Sequence, residues 1–554
     1  MRPRTISRAL PSLLALTLVA AVPTFAQSDP TGSLTPAAMN DLGRKLMDGD
    51  GMAKDLPRAF DLLTRAAEAG NVSAEANLGW MYHHGLGTAV DYQKAITWYK
   101  KAAEAGNSPA MNNLGTLYHE GRGVDQDYAE ALKWFRMAAD DKSGTAMNWI
   151  GLMYIDGRGV PKDEKQGFAW FQKSANEIGN AGGMQKIGYC YEYGHGVDKD
   201  MPLALTWYKQ AADAQHGTAM LSLGRLYRDG KGVEQDFVKA MMWFQKAADN
   251  GESDGLAYVG LLYAKGQGVP KDDATAFTWY QKAADAGNSS GMYDLATSYE
   301  NGRGVDKDLP QALAWYKKAA ALGDDDAMSQ VGWMYRQGSG TKQDYAEAMI
   351  WYRKAAAKGN SAAMTNMGVL YYYGYGVKQD FAEALTWFHK GADGKSSTAM
   401  NWLAGMYRDG EGTAKDPQQA LAWFRKSAEE MKSPAGAYSY GLCFETGVGT
   451  EKDYVKAMEW YKKAAGLGNL DGYAGIGRLY RDGKGVDKDL ATSLEWFHKG
   501  ADAGSAASMD YLGRAYENGL GADKDMDMAR EWYQKGANAG DSDAKKWITS
   551  HAGN

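Results

Sequence analysis

The chain has 554 residues, 44% of them hydrophobic and 12% aromatic, too many for one ordinary core and too apolar for a disordered chain. A formal net charge of -6, with no basic block, excludes the electrostatic footprint of a nucleic-acid binder. Gly is abundant at 68 and Pro scarce at 13, but the glycines fall at fixed phases, which excludes a flexible or collagen-like sequence and points to short tandem units.

The N-terminus reads as an export leader. Arg2, Arg4 and Arg8 precede an apolar run from Leu10 to Val22, and Pro23 to Ala26 offers a small-residue cleavage site after Ala26. The run is shorter than the about 20 residues that a spanning helix needs, and no later stretch is apolar enough to span. Residues 1–26 are therefore expected to be a signal peptide, and the mature chain a soluble periplasmic or secreted protein that does not span the membrane. Residues 27–36, polar and Pro-containing, are expected to be a disordered leader.

From Ala37 onward the chain is a variation on Leu114 to Ala139. Ala110, Leu114, Leu117 and Tyr118 have the i, i+4, i+7, i+8 spacing of an amphipathic helix. Gly115 leaves room for a neighbouring helix to approach. Gly121 and Gly123 stop this first helix, because glycine readily takes the positive φ of a C-cap, and Asp127 is placed to cap the next helix with its carboxylate. Pro57, Pro202, Pro310 and Pro417 fall one or two residues after that acid in other copies, where a helix tolerates proline. The second helix carries Tyr128, Ala131, Leu132, Phe135 and Ala138 on one side, and the unit ends in a turn such as Gly106-Asn107. A tryptophan followed by Tyr or Phe marks the phase from Trp98 to Trp532, with a spacing of 36 residues except for two steps of 37, whose extra residue is expected in the turns near 176–182 and 429–435. The predicted architecture is all-α: an α/α solenoid of about fourteen 36-residue helix-turn-helix repeats.

A second period lies above the first. Thr145 to Tyr154 matches Thr398 to Tyr407, and Leu223 to Asp236 matches Ile476 to Asp489, always 253 residues apart. Residues 37–289 and 290–542 are therefore read as a seven-repeat block used twice, with 543–554 as a C-terminal cap. The same offset relates Cys190 to Cys443. Seven stacked hairpins at about 9 Å per helix layer separate such positions far beyond the about 7 Å a disulfide allows, so two half-buried thiols are expected.

Catalytic and metal chemistry finds little support. The acid-bearing Gly-x-Gly loops lack the alternating ligands and twelfth-position Glu of a calcium loop. The eight histidines have no carboxylate or Cys company suited to zinc, and there is no Gly-x-Ser-x-Gly elbow. No cofactor, metal or catalytic residue is assigned.

The combination L-G-x-x-Y, G-x-G-V, capping Asp, A-x-x-W-[YF]-x-K-A-A and Gly-Asn turn resembles the Sel-one-like repeat (SLR) family, cousins of the tetratricopeptide repeats, over about nine tenths of the chain. The resemblance implies a right-handed α/α superhelix that serves as an adaptor, in bacteria often secreted or periplasmic. A cysteine-rich branch of that family is credited with penicillin binding and β-lactamase activity. A cell-wall enzyme or glycan binder of that type is the alternative function, although this chain lacks the branch's cysteine pairs.

Function is then expected where copies differ. The first helix lines the concave face of such superhelices, and its outward positions lie two before, two after and five after the L-G leucine. Those phases hold Trp80, His83, Asn112, Thr116, His119, Asn148, Arg225, Arg228, Trp333, Arg336, Thr365, Tyr372, Asn401, Arg408, Arg478, Arg481 and Arg514. Aromatics and arginines dominate binding hot spots, and arginine grips carboxylates. The partner-binding residues are read as Trp80, Arg225, Arg228, Trp333, Arg336, Tyr372, Arg408, Arg478, Arg481 and Arg514, with Trp333, Arg336, Tyr372 and Arg408 as a central patch. The expected function is a non-enzymatic envelope scaffold for a protein or peptide, and such an arginine row would suit an acidic one.

Overall fold

A computed structural model describes residues 34–551; the expected signal peptide and most of the leader lie outside the described residues. Those residues form 29 α-helices and no strand. They pair into fourteen hairpins, each a first and a second helix, followed by a single terminal helix, Ser542–Ser550. The first helix of the first hairpin begins at Pro36, capped by the Thr35 hydroxyl, so order starts inside the segment expected to be a disordered leader.

Most hairpins are held by a ring packed onto a glycine; in the first, Leu63 packs on Gly43, and in two others Ala296 and Ala404 take the place of the glycine. The aromatic residue after the phase-marking tryptophan is the deepest side chain of its hairpin, as with Tyr99, Phe135, Phe244 and Phe388, all fully buried. That ring lies where the L-G glycine would carry its side chain: a Cβ on Gly115 would sit 2.7 Å from Phe135 Cε1, and one on Gly368 2.5 Å from Phe388 Cε1. The tryptophan beside it is only half-buried in most copies. Its exposed face is covered by the lysine three residues on, as where Lys318 Nζ stands 3.4 Å from the Trp315 ring centre and Lys390 Nζ 4.2 Å from that of Trp387.

The Gly-x-Gly loop is structural at every atom it fixes. Gly121 takes φ 69° and returns its N–H to the Leu117 carbonyl, closing the first helix. Gly123, at φ 74°, lies against the start of the previous second helix, where an added Cβ would meet Tyr92 Cβ at 2.5 Å. The Asp127 N–H then donates to the Tyr118 carbonyl at 2.9 Å, and its carboxylate accepts from the N–H groups of Ala129 and Glu130. The equivalent Asp begins the second helix of all fourteen hairpins, from Asp55 to Asp525.

The two 37-residue steps differ from one another. At the first, the second helix Glu164–Ile178 runs to 15 residues and ends on Gly179, so the insertion lengthens the helix as well as altering the turn. At the second, the helix keeps 13 residues and the connection takes the insertion, with Lys432 at φ 49°.

The described residues divide into two compact units, residues up to 223 with 231–234, and residues 224–230 with those from 235 onward. Within each unit successive first helices touch one another, as Gly144–Asp156 touches Ala181–Tyr193 and Asp325–Gln337 touches Ser361–Tyr373, which sets the first helices in one row. Cys190 and Cys443 are free and fully buried, deeper than the half-burial expected. Burial pushes their thiols up to about 12 and about 11, which leaves them uncharged and unreactive.

Candidate functional site

The row of first helices opens a cleft of about 250 Å³ in the second unit, between Ser361–Tyr373 and Ser397–Asp409. Its lining includes Tyr372, Asn401, Trp402, Arg408, Asp409 and Glu411. Trp402 is the floor. One face of its indole stacks on Phe388 at 5.3 Å and 1°, and Tyr372 meets it at 4.9 Å and 58°. The Tyr372 hydroxyl donates to Glu411 Oε2 at 2.7 Å; that bond is the main reason its pKa rises to about 12, so the phenol stays a donor. Arg408 is bidentate on the next residue, Asp409, at 2.9 and 2.7 Å, which holds the Asp409 carboxyl below its usual range. Asn401 Oδ1 is buried with no hydrogen-bond partner.

A second cleft, of about 520 Å³, lies in the first unit on the other side of the equivalent first helix, between Gly144–Asp156 and Ala181–Tyr193. Thr145, Asn148, Trp149 and Leu152 line it, 253 residues before Thr398, Asn401, Trp402 and Gly405 of the first cleft. The aromatic frame repeats: Trp149 stacks on Phe135 at 5.6 Å and 6°, and His119 stands against it at 5.0 Å and 52°. The polar pair differs, since His119 Nε2 faces Arg158 at 3.4 Å where Tyr372 faces Glu411. Burial lowers the His119 pKa, with Arg158 adding to the effect, so the imidazole is neutral. Asn148 Nδ2 donates to Asn180 Oδ1 at 2.9 Å while its own Oδ1 is buried without a partner.

The sequence-predicted residues fare unevenly. Tyr372 and Arg408 share the cleft, but Trp333 and Arg336 do not line it: Trp333 is half-buried against its own core and Arg336 donates to Asn366 Oδ1 at 3.0 Å. Trp80 is exposed at 39% and stacks on His84 at 3.7 Å. The expected row of positive charge is largely neutralised. Arg228 and Arg481, like Arg408, bind the Asp that follows them, each at 2.7 Å at the closest. Arg478 pairs with Glu445 at 2.9 Å, and Arg514 with Asp510 at 2.7 Å and Asp543 at 3.0 Å. Arg481 and Arg514 also flank the Tyr511 ring, and Arg228 lies over Tyr258. Arg225 is half-buried on Gly217–Asp229.

Two of the outward phases are not outward. His119 and Thr365 are buried, at 8% and 6% exposure. The position two before the leucine stitches repeats together, since Asn112 Nδ2 donates to Ser143 Oγ at 2.8 Å and Thr365 Oγ1 meets Ser396 Oγ at 2.9 Å, both side chains being caps of the next first helix. The residues missed were Trp402, Trp149 and Glu411. The shared stretch TAMNW at 145–149 and 398–402 was the available signal for the two tryptophans; for Glu411, inside a loop of constant glycines, there was none.

Among the described residues no cluster of three or more His, Cys, Asp or Glu is placed to hold a metal, and no helix is long and apolar enough to cross a membrane. The Sel1 repeat family model matches fourteen segments from 36–71 to 506–541, including 144–177 and 181–216 around one cleft and 361–396 and 397–430 around the other. The chain is similar to a protective antigen of uropathogenic Escherichia coli with an SLR fold, at 29% identity, over 89% of this chain and 97% of that one, with a TM-score of 0.46. It is also similar to a Sel1 repeat protein from Oxalobacter formigenes, at 35% identity, over 44% of this chain and 99% of that one, with a TM-score of 0.40. No curated protein matches. Solenoids of this kind generally mediate protein–protein interaction and are typically non-catalytic. With its hairpins and capped loops repeated fourteen times over the matched segments, the chain belongs to the Sel1 repeat family.

Proposed function

We propose that the chain is a non-enzymatic scaffold of the bacterial envelope, exported by residues 1–26 and periplasmic or secreted, that holds a protein or peptide partner along its row of first helices. The observation that carries this reading is the cleft at Tyr372 and Trp402, where an indole face and an unpartnered amide oxygen stand beside ordered charge pairs. Such a mixture of aromatic anchor and polar rim is the anatomy of an interaction hot spot. Arg225, Arg228, Trp333, Arg336, Arg478, Arg481 and Arg514 extend the surface on the first helices of the same unit, and Trp80 belongs to the row of the first unit. The carboxylates that pair with most of these arginines make them specificity contacts for a partner that can exchange hydrogen bonds with an ion pair, and weaken the case for a purely acidic ligand.

The test is affinity capture from envelope extract with the wild-type chain and with Trp402→Ala and Tyr372→Ala. Loss of the captured protein from both variants, with unchanged melting curves, supports the cleft; an unchanged set of partners removes the site assignment. A β-lactam reporter and a peptidoglycan sedimentation assay address the enzymatic and glycan-binding alternative. Turnover of the first or co-sedimentation with the second would replace the scaffold reading.

A further inference from the structure

The cleft at Trp149 carries a charge that nothing in its wall answers. Lys186 lines it, half-buried, and the lining contains neither Asp nor Glu. Burial lowers the Lys186 pKa, and no carboxylate acts on the ammonium to offset that cost. A lysine ammonium is strongly hydrated, so holding it partly out of water without a counter-ion is unfavourable, and an anion entering the cleft would offset the penalty.

The backbone around Lys186 favours the same sign of ligand. Thr145, Gly182 and Thr218 line the cleft from the first turns of three successive first helices, Gly144–Asp156, Ala181–Tyr193 and Gly217–Asp229, so it lies at their positive ends. An independent sign of a ligand is Gln185, which lines the same cleft, is 6% exposed, and makes no side-chain hydrogen bond among the described residues. A buried amide left unpaired is costly, and its NH2 group is a donor for an incoming oxygen. Trp149 and Leu152 add an apolar wall for the stem that carries that oxygen, and about 520 Å³ is the size of a ligand pocket, well beyond a bare ion.

The sequence singles out this copy of the repeat. Of the fourteen first helices it alone has glycine as its second residue, Gly182, and it alone has a basic residue immediately before the L-G position, held here by Ile187 and Gly188. A Cβ at 182 would come to 3.0 Å from Asn148 Nδ2 and Asn180 Oδ1 and to 3.6 Å from His216 Nε2, so the glycine keeps the space between these side chains open.

We propose that the Trp149 cleft is a carboxylate site, in which Lys186 pairs with the carboxylate of a bound peptide segment, Gln185 donates to the same group, and Trp149 packs the stem behind it. The residue that reads an acid is then a lysine outside the arginine row, most of whose members are already paired within the chain. The proposal rests on reading the row of first helices as a peptide-binding surface.

Anisotropy titrations of the whole mature chain test it, with fluorescein-labelled octapeptides that share one Gly-Ser-Leu frame. Three are amidated and carry two Glu, two Gln or two Lys; the fourth carries two Gln and keeps a free C-terminus. The Glu peptide is expected to bind about tenfold or more tighter than the amidated Gln and Lys peptides. Lys186→Gln should bring it down to the level of the Gln peptide, and Lys186→Arg should keep its affinity within about threefold, both with unchanged melting curves. A free C-terminus that binds as tightly as the Glu peptide, with the same dependence on Lys186, supports the carboxylate site and assigns it a chain end instead of a side chain. Equal binding of the Glu and Gln amides, or a Lys186→Gln chain that still prefers Glu, would overturn the proposal. Inorganic phosphate bound as tightly as the Glu peptide and lost on Lys186→Gln would overturn it in favour of a free-anion site, and failure of every peptide to bind up to about 1 mM would overturn it outright. None of these results touches the Trp402 cleft, whose assignment falls only if its own variants capture an unchanged set of partners.

Discussion

At Gly368 an added methyl would be driven to 2.5 Å from the Phe388 ring, whereas at Gly405, which lines the Trp402 cleft, it would meet nothing within 4 Å. Gly368→Ala should therefore destabilise by about 1–3 kcal/mol through overpacking. Gly405→Ala should stabilise by about 0.5–1 kcal/mol, by lowering the backbone entropy of a helical glycine. Urea midpoints of the two variants give the comparison, and equal midpoints would contradict the ring-on-glycine packing. A second residue-scale prediction concerns Asp294, half-buried on Ser289–Asn301, whose pKa burial and the neighbouring Asp324 raise from 3.8 to about 6. Because the folded pKa lies above the unfolded one, the fold binds the proton more tightly, and stability falls as pH rises from about 4 through 6. Asp294→Asn should raise the thermal midpoint by about 2 °C at pH 7.5 and leave it unchanged at pH 4. A gain equal at both pH values would show that ionisation is not the cause.

The helix caps obey the opposite sign. Asp236 accepts from the Lys239 N–H and side chain, the N–H being the larger influence, and its carboxyl is held below the usual range. Such a group stabilises above the unfolded carboxylate pKa, and the contribution is lost as pH falls through the lower folded value. Asp236→Ala should lower the urea midpoint at neutral pH, and progressively less in acid. The elements themselves were legible because their determinants are local: glycine for a left-handed stop, aspartate for a cap, and a leucine row at helical spacing. What the sequence left ambiguous was the rank of two adjacent aromatics. Trp98 and Tyr99 look alike as core candidates, yet Tyr99 is buried and Trp98 carries Lys101 over its ring, a distinction set by which neighbour contributes the facing glycine.

At the scale of the whole molecule, the constant residues bind hairpin to hairpin, and the residues that vary fall mainly on the first helices. The 253-residue offset was readable as repetition of sequence, and it marked the two clefts through TAMNW. The site itself was harder to read. Phase could name Tyr372 and Arg408, but not that Asp409 neutralises Arg408 or that Thr365 is spent on Ser396, because those outcomes depend on the residue one turn or one repeat away. The claim that function resides on the first helices is tested most directly by hydrogen–deuterium exchange of the chain alone and with its captured partner. Protection is expected on Ser361–Tyr373 and Ser397–Asp409, or on their counterparts Ser108–Glu120 and Gly144–Asp156, with the second helices unchanged. Protection confined to the second helices would contradict it.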